Sequence, residues 1–368
     1  MDDQVLYGYI ESVFGEYTII DKNRIRFPKL LGGLSELFDV LGIHLLFVWS
    51  KNCLTDFLVT DKGKYLISDA KVGLYMNALS FPDVIKHYEN ASFEDLLFEA
   101  IAYMAAGELL FMGHPKMCAY INKQYVKHLY YNAPVGAGEA INKILSVLLH
   151  EWGHYISKVN SVALLENMSI VEDAFNDFCN DKANMYFDQK DYNKSMWYNT
   201  VYRNKFKDNK VDIECCADLF GFEHALLLMK QDDMFKMLSG GIDRFAHDSL
   251  VSIHQFLIIE YVKVIVKSAI AGNEYDFKKK GSYNQRLRIT RDIFSRRLIN
   301  EVGLSVAKKS HAKFTEYLEK YDNPVDDMLR DLHRIIFQNR NVFNESEDTL
   351  VVNEKCQDLY KWPPLDMD

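Results

Sequence analysis

Apolar positions along the chain change their period near residue 92. Before it, short runs rich in β-branched and aromatic residues are broken every few positions by turn formers. Gln4 to Ile20 and Arg24 to Phe27 read as such runs, divided at Gly15 and at Asp21-Lys22-Asn23. The firmest strand signals are His44 to Trp49 and Phe57 to Thr60. The second is followed by the turn material Asp61-Lys62-Gly63-Lys64 and then by Tyr65-Leu66-Ile67.

From Ser92 the period becomes helical. Ser92, with Glu94 and Asp95 behind it, supplies an N-cap and a first turn bearing acids, and apolar residues continue to Leu110. Asn132-Ala133-Pro134-Val135-Gly136-Ala137-Gly138 is turn material. Beyond it Ile141, Ile144, Leu145, Leu148, Trp152, Tyr155, Ile156 and Val159 recur at three- and four-residue spacing, which predicts an amphipathic helix. More helices are predicted near 165–185, 211–230, 244–271, 283–301 and 322–338. The expected fold class is α+β. A small strand-rich part spans 1–90 and offers an edge strand, a mainly helical body spans 91–340, and a loosely ordered tail covers 341–368.

Composition narrows the functional classes. At 368 residues and 48% hydrophobic the chain can bury a sizeable core, and its 7 prolines and 18 glycines exclude fibrous or disordered classes. A formal net charge of −9 argues against a broad nucleic-acid face and against general attraction to anionic membranes. Two apolar stretches are interrupted by charge: Leu96 to Met112 by Glu99 and Glu108, and Phe256 to Ala271 by Glu260, Lys263 and Lys267. Neither supplies the roughly 18–20 apolar residues of a membrane span. The start, Met1-Asp2-Asp3-Gln4-Val5, lacks the basic and apolar regions of a secretory signal, so a soluble, cytoplasmic protein is expected. Its six cysteines are scattered without a CxxC pair, so free thiols are expected. No oligomeric state is implied.

The chemistry concentrates in His150-Glu151-Trp152-Gly153-His154 on the amphipathic helix. Positions i and i+4 lie about 40° apart around a helix axis and one turn along it, so both imidazoles can meet one ion. Glu151 sits about 100° further round, where it can act as a base toward water at that ion. Gly153 inside a helix costs about 1 kcal/mol relative to Ala, a cost explained where another backbone comes close. Two neutral histidines leave a divalent ion undercharged and short of a protein ligand. The segment Val211-Asp212-Ile213-Glu214-Cys215-Cys216-Ala217-Asp218 can supply a carboxylate. Glu214 and Asp218 are themselves at i and i+4. Glu214 would bind zinc, and Asp218 would accept a hydrogen bond from the outer ring nitrogen of a histidine, most naturally His150. Asp218, Glu172 and Glu223 are the alternatives for the third ligand.

HExxH followed by an ExxAD helix resembles the gluzincin metallopeptidases, over about 140–225. These include the HtpX-like membrane peptidases, the ImmA-type soluble proteases and the phage-exclusion Lit-type peptidases. The soluble Lit-type and ImmA-type enzymes are nearest, the Lit type by elimination. The resemblance implies a zincin-like body, a Zn2+ cofactor held by His150, His154 and Glu214, and hydrolysis of peptide bonds in a protein or peptide substrate. Ser282-Tyr283-Asn284-Gln285-Arg286-Leu287-Arg288-Ile289 is similar to a Ser-His-Pro…Arg-Ile segment of several such families. That likeness implies Arg288 bracing the carboxylates and Tyr283 donating to the oxyanion. A cytoplasmic peptidase needs narrow specificity, and the expected selectors are His44 to Met76 and the loop Asn132 to Gly138. The alternative reading is a non-catalytic sensor or binding protein stabilised by zinc. An intact Glu151 favours the enzyme, because a structural site needs no base.

Overall fold

Leu6, Ile10 and Phe14 fall on one side of a helix, α1 (Gln4–Phe14), and all three are buried against Val48 and Ile67. The expectation of strands over Gln4 to Ile20 is therefore corrected for its first part. The i, i+4 spacing of these three apolar residues outweighs the β-branched and aromatic composition around them. Only β1 (Tyr17–Ile19) is extended there. The computed structural model describes residues 4–20, 28–50, 52, 54–84, 91–129, 137–202, 204, 210–231, 240–274 and 281–342. Arg24 to Phe27, the loop as far as Gly136 and nearly all of the expected tail lie outside the described residues.

After α2 (Pro28–Val40) come β2 (Ile43–Ser50), β3 (Thr55–Thr60) and β4 (Gly63–Asp69). Their order in the sheet is β1-β2-β4-β3. β3 and β4 form a hairpin with Thr60 opposite Gly63, so Asp61 and Lys62 make the tight turn. β4 also runs parallel to β2 (Leu45↔Leu66), and β1 is antiparallel to β2 (Thr18↔Trp49). The edges are thus β1 and β3, while His44 to Trp49 is interior and Ala70 to Met76 is helical, within α3 (Ala70–Val84).

The remaining elements among the described residues are helices: α4 (Phe93–Phe111), α5 (Pro115–Tyr125), α6 (Ala137–Val159), α7 (Ser161–Asp188) and α8 (Tyr192–Trp197), which runs into a π-helical turn at Tyr198–Tyr202. They continue as α9 (Val211–Gln231), α10 (Ile242–Ile270), α11 (Gly281–Val302) and α12 (Leu304–Asn339). Ser92 caps α4 as expected. Its hydroxyl accepts from the Asp95 amide, and the Asp95 carboxylate accepts from the Ser92 amide, so two backbone groups are satisfied reciprocally. The fold is α+β with a helical body.

Two compact units divide the chain. One comprises 1–144, 255–275 and 317–368; the other comprises 145–254 and 276–316. α6, α10 and α12 each contribute residues to both. Among the described residues, α10 alone is long and apolar enough to cross a membrane, and 83% of its apolar window is buried inside the fold. The described cysteines 118, 179, 215 and 216 are free thiols.

The first unit buries an acid. Asp69, at the end of β4, accepts from the Ser50 amide and hydroxyl and from the Lys71 amide, with the Lys71 ammonium 3.9 Å away. Burial raises its pKa to about 6 against the opposing pull of Lys71 and these hydrogen bonds. An unfolded Asp titrates near about 4, so folding takes up a proton between those values. The stability from this group is full below about pH 4 and is lost as the pH rises through 6. From pH 7 to pH 4, urea unfolding should show wild type gaining up to about 3 kcal/mol on Asp69→Asn. Parallel stability curves would assign the proton to another group.

Candidate metal centre

Three helices of the second unit build the site. α6 brings His150 and His154, whose Nε2 atoms lie 3.1 Å apart. α9 brings Glu214, with Oε2 3.3 Å from His150 Nε2 and Oε1 3.5 Å from His154 Nε2. One donor atom from each residue lies within 4.8 Å of the others, and among the described residues this is the His/Cys/Asp/Glu group able to hold a metal. A tetrahedral ion with bonds of about 2.0–2.2 Å separates its ligands by about 3.3–3.6 Å. The trio fits such an ion.

The same two helices meet a second time one turn away. Asp218 Oδ1 accepts from His150 Nδ1 at 2.8 Å, which turns Nε2 toward the trio. His154 thus pairs with Glu214 and His150 with Asp218. The i, i+4 pair of one helix matches the i, i+4 pair of the other, in antiparallel register.

Close approach makes this register possible, and two glycines permit it. A Cβ on Gly153 would lie 2.5 Å from the Ala217 carbonyl oxygen and 2.9 Å from its Cα. One on Gly221 would lie 3.0 Å from the Leu149 carbonyl carbon and 3.2 Å from the His150 amide. Gly153→Ala should therefore destabilise the protein by about 1–3 kcal/mol, although Ala favours helix by about 1 kcal/mol at an open position. It should also weaken metal binding more than Gly221→Ala does, because its backbone clash is closer. Denaturant unfolding and metal competition on the two variants check this, and a stabilised Gly153→Ala would refute the close-packing account.

α11 supplies the brace. Arg286, Thr290 and Phe294 recur every four residues and face α9. Phe294 stacks on Phe222 with ring centroids 4.0 Å apart, and Thr290 donates to Asp218 Oδ2 at 3.1 Å. Arg286 donates through Nε and Nη2 to the two Asp218 oxygens at 2.9 and 2.8 Å, and through Nη1 to Glu214 Oε2 at 2.9 Å. The resembling segment predicts Arg288 in this role. Arg288 is exposed, two positions and about 200° round the helix from Arg286, which is buried. The signal was available: Leu287, Ile289, Thr290, Ile293 and Phe294 trace the apolar face, and Arg286 stands four residues before Thr290. Tyr283 is in the first turn of α11, and its side chain lies outside the described residues. Of the alternative third ligands, Asp218 is taken by His150 and Arg286, and Glu223 pairs with Arg297. Cys216 is fully buried, its thiol pushed up to about 12 by burial and neighbouring acids.

The electrostatics favour a cation. Burial drives the Asp218 pKa upward, yet Arg286 and His150 outweigh it and hold the carboxyl at about 2. Burial acts likewise on Glu214, but hydrogen bonds with His150 and His154 and the Arg286 charge keep it well below the usual carboxylate range. Burial and Arg286 press the His150 pKa down, and the two carboxylates more than reverse this, to about 9. Surroundings that hold a proton so firmly on this imidazole favour positive charge beside it. The site also has an open side, since the Glu214 and His154 side chains are 37% and 23% exposed against 9% for His150. Glu151 is half-buried. No protein-family model, curated protein or solved structure matches this chain.

Proposed function

We propose that the chain is a zinc metallopeptidase of gluzincin type that hydrolyses peptide bonds of a restricted protein substrate. The observation that carries this reading is the His150–His154–Glu214 trio with the Asp218 carboxylate on the outer nitrogen of His150. Two imidazoles and one carboxylate suit zinc, and three protein donors with an exposed side suit a catalytic centre better than a structural one, which closes with four. The sensor reading has no such support, because it gives the exposed side of the trio no use.

Zinc bound here would supply Lewis acidity, polarising a substrate carbonyl and easing deprotonation of water. The residues do the rest. Asp218 holds a proton on His150 Nδ1, so Nε2 is the nitrogen that would give up its proton to the ion. Glu151, about 100° round α6 from His150, accepts the proton of the attacking water and returns it to the departing amine. Arg286 and Thr290 keep Asp218 ionised and still. The proposal includes a cytoplasmic setting, a protein or peptide as partner, and neither nucleic acid nor membrane.

The test is a proteome-wide search for new protein termini produced by zinc-loaded wild type and missing with Glu151→Gln. A short set of cut sites, with unfolded casein left largely intact, is expected. Rapid, indiscriminate casein cleavage would refute the restricted specificity, and identical termini from both proteins would refute the peptidase.

A further inference from the structure

The two oxygens of Glu214 are not equivalent. Oε2 accepts the Arg286 Nη1 hydrogen bond at 2.9 Å and faces His150 Nε2 at 3.3 Å, whereas Oε1 faces His154 Nε2 at 3.5 Å. The guanidinium cannot swing away, because Nε and Nη2 are tied to Asp218 and the side chain is buried. Nη2 also stands 3.4 Å from His150 Nε2, which puts a fixed positive charge on the His150 side of the donor trio. Its two carboxylate partners balance that charge. An oxygen already accepting a charge-assisted hydrogen bond is the weaker donor to a metal.

We propose that Arg286 is a positioning residue that reserves Oε2 of Glu214, so that the carboxylate offers a bound ion Oε1 alone. The inference rests on the metallopeptidase reading above. Its consequence is a coordination number. A carboxylate gripping an ion with both oxygens takes two positions, and one oxygen leaves a four-coordinate centre whose last position is open to water or substrate. Lysine cannot substitute, since a point charge on a flexible stem cannot span two carboxylates as the planar fork does.

Cobalt(II) alone is the probe, because its visible absorption weakens as coordination rises from four to five. Wild type should bind about one equivalent and show the intense four-coordinate spectrum. Arg286→Lys and Arg286→Gln should still bind cobalt, with an intensity lowered at least about twofold as Oε2 is released to the ion. Variants that keep the wild-type intensity overturn the inference. A weak, five-coordinate spectrum of wild type overturns it too, while leaving the metal centre standing. Failure of wild type to bind cobalt or zinc stoichiometrically removes both. Should neither variant fold, X-ray absorption of zinc-loaded wild type decides: four light ligands near about 2.0–2.2 Å support the inference and five refute it.

Discussion

Glu151→Gln should retain zinc and the native fold while peptide hydrolysis falls on the order of 10³–10⁴-fold. The amide matches the carboxylate in size and polarity, so packing on the half-buried flank of α6 is preserved. It cannot accept a proton, and the attacking water then loses its base. Zinc content, circular dichroism and single-turnover cleavage of an identified substrate measure the three parts separately. A variant that loses its metal would make Glu151 a ligand and the trio a misreading. One that keeps both metal and activity would move the base elsewhere.

Replacing a donor should do the opposite, removing metal first. His150→Ala, His154→Ala and Glu214→Ala should each take the protein from about one zinc per chain to a trace after dialysis. Asp218→Asn should be milder, about 10–100-fold in affinity, because it acts through His150 and Arg286 and removes no donor of the trio. Competition with a chromophoric chelator ranks the four. The ranking matters more than any single value, since the geometry puts Glu214 in the donor trio and Asp218 behind His150. Full zinc retention by Glu214→Ala would break that assignment and make Asp218 the next residue to change.

Much of this centre was legible because it is local. His150 with His154 and Glu214 with Asp218 are each one turn of one helix, and a 3.6-residue period can be counted in the sequence. Gly153 announced a close neighbour through its cost in helix propensity. Which backbone came close could not be counted. It depends on two helices meeting, so Gly221 passed unremarked although it makes the matching contact with Leu149 and His150. The exchange of Arg286 for Arg288 has a different cause. The spacing of the resembling segment points to Arg288 and the apolar face of α11 to Arg286, and two residues move a side chain to the far side of a helix. In the sheet, strand existence was readable at His44 to Trp49 and Phe57 to Thr60. Strand partners were not, because the insertion of β4 between β2 and β3 is a long-range choice. The helix α1 was missed where Tyr, Ile and Val gave a strand-like composition to a sequence whose buried residues follow i, i+4.

An ion joining His154 to Glu214 would close the chain between them into a ring of roughly sixty residues. In chain-entropy terms a cross-link of that span disfavours the unfolded state by about 4 kcal/mol. The ring holds α7, α8 and the π-helical turn, whose Phe187, Tyr192, Met196 and Val201 are exposed. The three donors would then also act as a non-covalent staple. A chelator should free this aromatic lobe to protease and to hydrogen exchange before the sheet of the other unit responds.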